Sequence, residues 1–108
     1  MKISKLKGSN KSAGLCRMRI EGELTIYKAA EAMEQLIPYW NDFQRFEIDL
    51  SEITDIDTAG VQLLLIFSRK TEGMENGIRL LGTSQPVNEA LIIYRLAPRF
   101  GIQSTFQQ

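Results

Sequence analysis

A strand, a short polar turn and a long apolar segment follow one another without a break near the middle of the chain. In Phe46–Leu50, apolar and acidic residues alternate, which is the pattern of a strand buried on one face. Residues 57–60 read Asp-Thr-Ala-Gly, and the apolar segment that follows is longer than a typical strand. The pattern predicts a strand that leads into a helix over Asp57–Glu72, with Thr58 at the start of that helix.

Thr58 places a hydroxyl at this predicted junction. The first N–H groups of a helix have no intrahelical partner and the helix dipole is positive there, so an anion such as a phosphate can be held. One interpretation is a plain N-cap, in which the Thr58 oxygen accepts a helix N–H and contributes about 1 kcal/mol. The other is a regulatory phosphoacceptor. Sequence physics alone favours the cap.

The flanking segments predict further strands and helices. Lys2–Leu6 and Leu15–Ile20 read as a hairpin, and Ile78–Leu81 reads as another strand. Pro86–Leu96 reads as a helix, and Phe100–Phe106 as an edge strand or a partly ordered tail. Strands followed by alternating helices and strands indicate an α/β domain with at least one parallel strand pair. Because apolar and polar residues alternate along the strands, we expect helices to cover one face of the sheet and water to contact much of the other.

A further helix is predicted between the hairpin and the central strand. Thr25 is its expected N-cap. Pro38 is expected to end or kink this helix near Ile37. The residues expected to form its apolar face recur at helical spacing: Ile26, Ala29, Ala30, Met33, Ile37 and Trp40.

The composition favours a single domain that carries out no catalysis. A chain of 108 residues fits one compact domain, residues 1–108, and its 13 basic and 13 acidic residues give no field that would attract nucleic acid. Histidine is absent, which removes the commonest general base and metal ligand. Cys16, the only cysteine, reads as a core residue. We expect no cofactor, no metal, no membrane insertion and a cytoplasmic location.

The helix after Thr58 carries more apolar residues than one face can hold. One stripe consists of Val61, Leu64, Leu65 and Ser68, and a second stripe on nearly the opposite side consists of Leu63, Ile66 and Phe67 with Ala59. Only one stripe can lie flat on the sheet. Leu63 and Phe67 are therefore expected either to pack against another helix or to contribute to a partner-binding surface.

Three segments of the chain resemble the STAS domain family, named for sulphate transporters and anti-sigma-factor antagonists. The most specific is Asp-Leu-Ser at 49–51 followed by Asp-Thr-Ala-Gly-Val at 57–61. The segment Arg19–Leu24, which ends in Gly-Glu-Leu, is similar to the strand that opens the family pattern. Gly77–Gly82 with the residues around Pro86 is similar to the third part of that pattern.

The resemblance implies a non-enzymatic regulatory module. It implies a four- or five-stranded mixed sheet with three to four helices packed mainly on one face. It also implies that Thr58 is the phosphoacceptor of a partner serine/threonine kinase of the anti-sigma-factor type. Phosphorylation of Thr58 would then alter partner binding by adding charge and bulk to the docking surface. The candidate partner-binding residues are Thr25, Asp57, Thr58, Ala59, Gly60, Val61, Leu63 and Phe67.

Thr25 stands where the family often has aspartate, so an acidic contribution to nucleotide or partner contacts at this position is in question.

Three other functions remain open. The first is a constitutive subunit of a phospholipid-transport ABC complex, bound to the transporter ATPase through Thr58. The second is a scaffold in a chemotaxis or stressosome-type assembly. The third is a small nucleotide- or lipid-binding domain, although the chain lacks a glycine-rich phosphate loop.

Overall fold

The chain folds as strands of a mixed sheet alternating with helices. The computed structural model describes residues 2–10, 12–70 and 78–100. Within these residues the strands are β1 (Lys2–Lys5), β2 (Leu15–Leu24), β3 (Arg45–Leu50), β4 (Ile53–Ile56) and β5 (Ile78–Thr83). The helices are α1 (Ile26–Asp42), α2 (Thr58–Lys70) and α3 (Gln85–Ile93), followed by a 3₁₀ turn at Ala97–Phe100. The predicted α/β class is confirmed.

The strands of the sheet lie in the order β1-β2-β3-β5, and β4 pairs with β2. β1 and β2 form the predicted antiparallel hairpin, whereas β2 with β3 and β3 with β5 are parallel. The long strand β2 pairs with β3 through its first half and with β4 through its last three residues, Gly22–Leu24. The ends of β2 and β4 therefore lie side by side.

The alternation of apolar residues in β2 and β3 places one side of each strand in the core. Cys16, Met18 and Ile20 are at most 1% exposed, and Phe46 and Ile48 are fully buried. Burial raises the pKa of the Cys16 thiol to about 11. Cys16 is therefore protonated at neutral pH and serves as a small apolar residue, as its setting predicts.

The other side of the same strands carries charge pairs between neighbours. Arg17 Nε lies 2.8 Å from a Glu47 carboxylate oxygen, and Arg19 Nε donates to Asp49 at 3.1 Å. Both pairs are in direct strand register. Burial opposes the ionisation of Asp49, but hydrogen bonds from Ser51 and Arg19 outweigh it and lower its pKa. The predicted wet face is thus lined by paired arginines and carboxylates.

Helix α1 corrects two predictions. It continues through Pro38 to Asp42, so the expected end near Ile37 is wrong. Pro38 and the residue one turn earlier, Glu34, are both exposed, so water can bind the carbonyl that proline leaves without a donor. The buried face is also rotated from the expected one: Ala32 and Leu36 are fully buried, whereas Ile26 is 66% exposed.

Helix α2 buries most of both of its apolar stripes. Leu63 is 4% exposed and Phe67 is 1% exposed, and the Phe67 ring meets the Phe46 ring edge-to-face with centroids 5.0 Å apart. The hypothesis that Leu63 or Phe67 forms a partner-binding surface is therefore wrong, because both side chains are enclosed in the core. Ile66 remains on the surface of this helix, at 41% exposure.

The remaining boundaries differ by a few residues from those expected. α3 ends at Ile93, before the predicted Leu96, and Ser84 is its N-cap, accepting from the Val87 N–H at 3.4 Å. Strand β4 was not predicted. The predicted end of the second helix at Glu72 and most of the predicted Phe100–Phe106 segment lie outside the described residues.

Truncation of Phe67 should show its place in the core. We expect Phe67→Ala to lower the free energy of unfolding by about 3–5 kcal/mol, because it leaves a cavity against Phe46. The matched change one residue earlier, Ile66→Ala, should cost about 1 kcal/mol or less, since that side chain is largely solvated. Urea unfolding of the three proteins measures both values, and equal losses would contradict the assignment.

Candidate functional site

Two helices begin at the same edge of the sheet. β2 and β4 are parallel neighbours that end together, with Leu24 paired to Ile56. Each strand is followed almost at once by a helix, α1 after β2 and α2 after β4. The N-termini of α1 and α2 are consequently adjacent, and both present N–H groups that lack helical partners.

The Asp57 carboxylate serves both helix starts. One oxygen accepts from the Ile26 N–H of α1 at 2.9 Å, and the other accepts from the Gly60 N–H of α2 at 3.2 Å. The hydrogen bond from Ile26 is the main cause of the lowered pKa of Asp57; some burial opposes it, and bonds from Gly60 and Ala59 add to it. Asp57 therefore positions the turn between β4 and α2.

Gly60 allows this close approach. A methyl group at residue 60 would overlap the Leu24 carbonyl oxygen and lie 2.7 Å from Ile56 Cγ1. Any larger residue would push the first turn of α2 away from the ends of β2 and β4. Packing therefore requires glycine at residue 60, although glycine is a poor helix former and this position lies in the first helical turn.

The Thr58 hydroxyl takes no part in capping. Asp57 is the capping residue, and Thr58 is the first residue of α2. The exposed Thr58 Oγ1 lies 2.6 Å from the hydroxyl oxygen of Tyr94, at the end of α3. The interpretation of Thr58 as a plain N-cap is wrong, because the neighbouring carboxylate already accepts the free N–H groups.

Exposed apolar side chains belong to the two helix ends that Asp57 and Thr58 contact. Ile26 and Tyr27 begin α1, which Asp57 holds, and Ile93 and Tyr94 end α3, which Thr58 contacts. Among the exposed large hydrophobic residues that the structure describes, the three most exposed are Tyr27 (90%), Ile93 (74%) and Ile26 (66%). We call these four residues, Ile26, Tyr27, Ile93 and Tyr94, the apolar corner. Clustered exposed apolar side chains mark interaction surfaces.

A shallow cavity of about 320 Å³ opens beside the apolar corner. Its lining includes Ile93 and Tyr94 together with three carboxylates, those of Asp55, Asp57 and Glu89, and it includes no lysine or arginine. In the part of the chain that the structure describes, no group of three or more acidic or thiol side chains is placed to hold a metal ion.

The structure brings together only some of the predicted site residues. Thr58 is exposed, and Asp57 and Ala59 are half-buried. The others are buried: Gly60, Val61, Leu63, Phe67 and Thr25. Thr25 occupies the N-cap position of α1, but its side chain makes no capping bond there, and the Asp57 carboxylate takes that role instead.

Comparison with known protein families identifies the domain. A family model described as "Mlab, STAS domain" matches residues 9–101, which is most of the chain. The chain belongs to the STAS domain family. This confirms the resemblance carried by the Asp-Thr-Ala-Gly turn. A comparison with curated proteins found no match.

Two solved structures share the STAS fold with this chain. One is described as the anti-sigma factor antagonist SpoIIAA in its unphosphorylated form, with TM-score 0.72 and 16% identity over 96% of this chain and 90% of that one. The other is an anti-sigma factor antagonist from Mycobacterium paratuberculosis, with TM-score 0.73 and 18% identity over 97% of this chain and 88% of that one. In the described part of the present chain, no helix is both long and apolar enough to span a membrane.

Sequence reasoning missed the contribution of α3 to the site. Tyr94 had no assigned role, although it lies beside Thr58, and Ile26 was placed on the buried face of α1. The contact between Thr58 and Tyr94 joins residues 36 positions apart, so no local pattern reports it. A usable signal was the adjacent pairs Ile26-Tyr27 and Ile93-Tyr94, which put two large apolar residues side by side at helix ends.

Removal of the Asp57 charge should weaken both helix starts. We expect Asp57→Asn to lower the free energy of unfolding at pH 7 by about 1–2 kcal/mol, because one amide oxygen replaces a carboxylate that accepts from two helices. The folded state lowers the pKa of Asp57 below its ordinary value of 3.8. The stabilisation is therefore complete above that ordinary value and is lost as the pH falls through the lowered one.

Urea unfolding of both proteins between pH 7 and pH 2 measures this effect. The difference between wild type and Asp57→Asn should be largest at neutral pH and shrink towards zero at the acid end. Asp55→Asn is the matched control, since it removes an equal charge from an exposed position two residues away. A difference that does not change with pH would contradict the role of the ionised carboxylate.

Proposed function

We propose that this chain is a regulatory protein-binding module of the anti-sigma-factor-antagonist type, switched by phosphorylation of Thr58. The observation that carries the proposal is the exposed Thr58 hydroxyl at the start of α2, flanked by the apolar corner. The likeness of fold to two anti-sigma factor antagonists supports it. The partner is a serine/threonine kinase or a related signalling protein, and this chain is its substrate and ligand.

The apolar corner supplies binding free energy for docking. Three of its side chains are at least 66% exposed, so a partner that covers them removes apolar surface from water. Aromatic residues such as Tyr27 and Tyr94 are common among the residues that dominate binding at protein interfaces. Thr58 contacts Tyr94 of the corner and directly follows Asp57, which is bonded to Ile26, so we expect a partner that covers both halves of the corner to cover the Thr58 hydroxyl as well.

The phosphoryl transfer needs only an accessible hydroxyl from this chain. The Thr58 oxygen attacks the γ-phosphorus of ATP bound by the partner kinase, a new O–P bond forms and the bond to the ADP oxygen breaks. The hydroxyl proton passes to a base on the kinase, so the reaction requires no general base from this chain, which has no histidine.

The modified residue would place a strong negative charge in an acidic setting. A phosphothreonine carries about −1.5 to −2 charges near neutral pH. The cavity beside Thr58 already has three carboxylates and no basic residue in its lining, and Asp57 already accepts the nearest helix N–H groups. The phosphate therefore adds charge and bulk to the docking surface instead of being neutralised there, and we expect it to weaken docking.

Capture of partners from a native lysate of the source cells tests the switch. The baits are the full chain, Thr58→Val, Thr58→Glu and the control Thr54→Glu, which adds the same charge at an exposed threonine of β4. We expect wild type, Thr58→Val and Thr54→Glu to capture the same kinase or signalling protein, and Thr58→Glu to lose it. Mass spectrometry of chain recovered from cells should find phosphate on Thr58. Equal capture by all four baits, with no phosphate on Thr58, would overturn the proposal.

A second candidate is the constitutive transporter subunit, in which Thr58 makes a fixed interface contact. Two observations favour it: the matching family model is described as that of an MlaB STAS domain, and the Thr58 hydroxyl is already engaged by Tyr94. The same capture experiment separates the candidates. Recovery of a transporter ATPase with both wild type and Thr58→Glu would support the second function.

A further inference from the structure

The Thr58–Tyr94 contact is a specific side-chain pair between two elements. The two hydroxyl oxygens are 2.6 Å apart, the length of a well-formed O–H···O hydrogen bond, and either can be the donor. Both side chains are exposed, so water could replace either partner. Packing alone therefore does not force the two hydroxyls together. The positions of the backbone at Thr58 and at Tyr94 must bring them within reach.

The backbone at Tyr94 is fixed by the way α3 ends. Arg95 adopts a left-handed conformation with φ 61°, and its N–H donates to the Ile92 carbonyl at 3.0 Å. The Leu96 N–H donates back to the Leu91 carbonyl at 2.7 Å. These two bonds around a left-handed residue form a Schellman motif, which terminates the helix and sets the direction of the Tyr94 side chain.

The backbone at Thr58 is fixed from the other side. The preceding residue, Asp57, is bonded to both helix starts, so the first turn of α2 has a defined position. The threonine side chain then retains one rotatable bond between heavy atoms, χ1. The bond to Tyr94 selects the rotamer that directs the hydroxyl towards α3 instead of leaving it to rotate in water.

We propose that Tyr94 is a latch on Thr58, holding its hydroxyl in one rotamer until a partner that docks on the apolar corner displaces the tyrosine. This proposal rests on the proposed function, because it concerns how the same hydroxyl is made available for phosphorylation. Docking breaks the pair, which leaves the Thr58 hydroxyl free to turn towards ATP. After transfer that oxygen is an ester oxygen that can only accept, so a pair in which Thr58 is the donor cannot re-form. Tyr94 is thus a positioning residue and takes no part in the chemistry.

The latch predicts a measurable effect on rotamer populations. One hydrogen bond between neutral groups shifts an equilibrium by about two- to tenfold. We expect Tyr94→Phe, which removes only the hydroxyl, to release Thr58 into several rotamers. Three-bond NMR couplings from the backbone nitrogen and carbonyl carbon of Thr58 to its Cγ2 report χ1 directly. The control is Tyr27→Phe, which removes a hydroxyl from the most exposed side chain of the apolar corner.

The NMR measurement decides the proposal without a kinase. Couplings that show one rotamer in wild type and Tyr27→Phe, but an average in Tyr94→Phe, would support the latch. Identical couplings in all three proteins, or an average already present in wild type, would overturn it. Neither result depends on whether Thr58 is phosphorylated in the cell.

Kinetics with the kinase recovered by the wild-type bait add a second readout. With the full chain as substrate and MgATP, we expect Tyr94→Phe to raise kcat/KM for phosphorylation of Thr58 by about two- to tenfold, with kcat unchanged because docking has already displaced the tyrosine from the bound wild-type chain. A kcat/KM equal to or below that of wild type would overturn the latch. If the recovered kinase phosphorylates none of the proteins, the proposed function fails, while the couplings still decide the latch.

Discussion

The carboxylate of Asp57 is the interaction on which the arrangement of this site depends. It accepts from the first turns of α1 and α2 at once, so a single side chain ties together two helices that follow parallel strands. The bond to Ile26 spans 31 residues and determines where α1 begins relative to α2. Without it, the two helix starts would each have unsatisfied N–H groups at the same sheet edge.

The double cap explains why the threonine hydroxyl is available for function. A helix start normally draws a nearby serine or threonine oxygen into capping. Here the aspartate has taken that role for both helices, so Thr58 stands at a helix start without serving as its cap. Under the proposed function, the residue that stabilises both helix starts and the residue that is modified are therefore adjacent but different.

The sequence predicted the features that local pattern controls and missed those that depend on distant contacts. Alternation in Leu15–Ile20 and Phe46–Leu50 identified both strands and their buried sides, because burial repeats every second residue. The face of α1 was wrong, since Ile26 belongs to a helix start that the sheet does not cover. Strand β4 was missed because its four residues include an exposed threonine and aspartate and carry no clear alternation. The place of Thr58 at the start of α2 was predicted, but its contact with Tyr94 was not, because that contact is non-local.

The burial of Leu63 and Phe67 bears on where a partner would bind. Since both side chains are enclosed, neither can contribute to a partner surface along this helix, as the sequence alone allowed, although Ile66 remains exposed there. The three most exposed large apolar side chains of the described residues lie instead at the start of α1 and the end of α3. Under the proposed function, a partner approaches the sheet edge where two helices begin and one ends. A group added to Thr58 would then lie in that approach, so a local modification would control docking while the core stays unchanged.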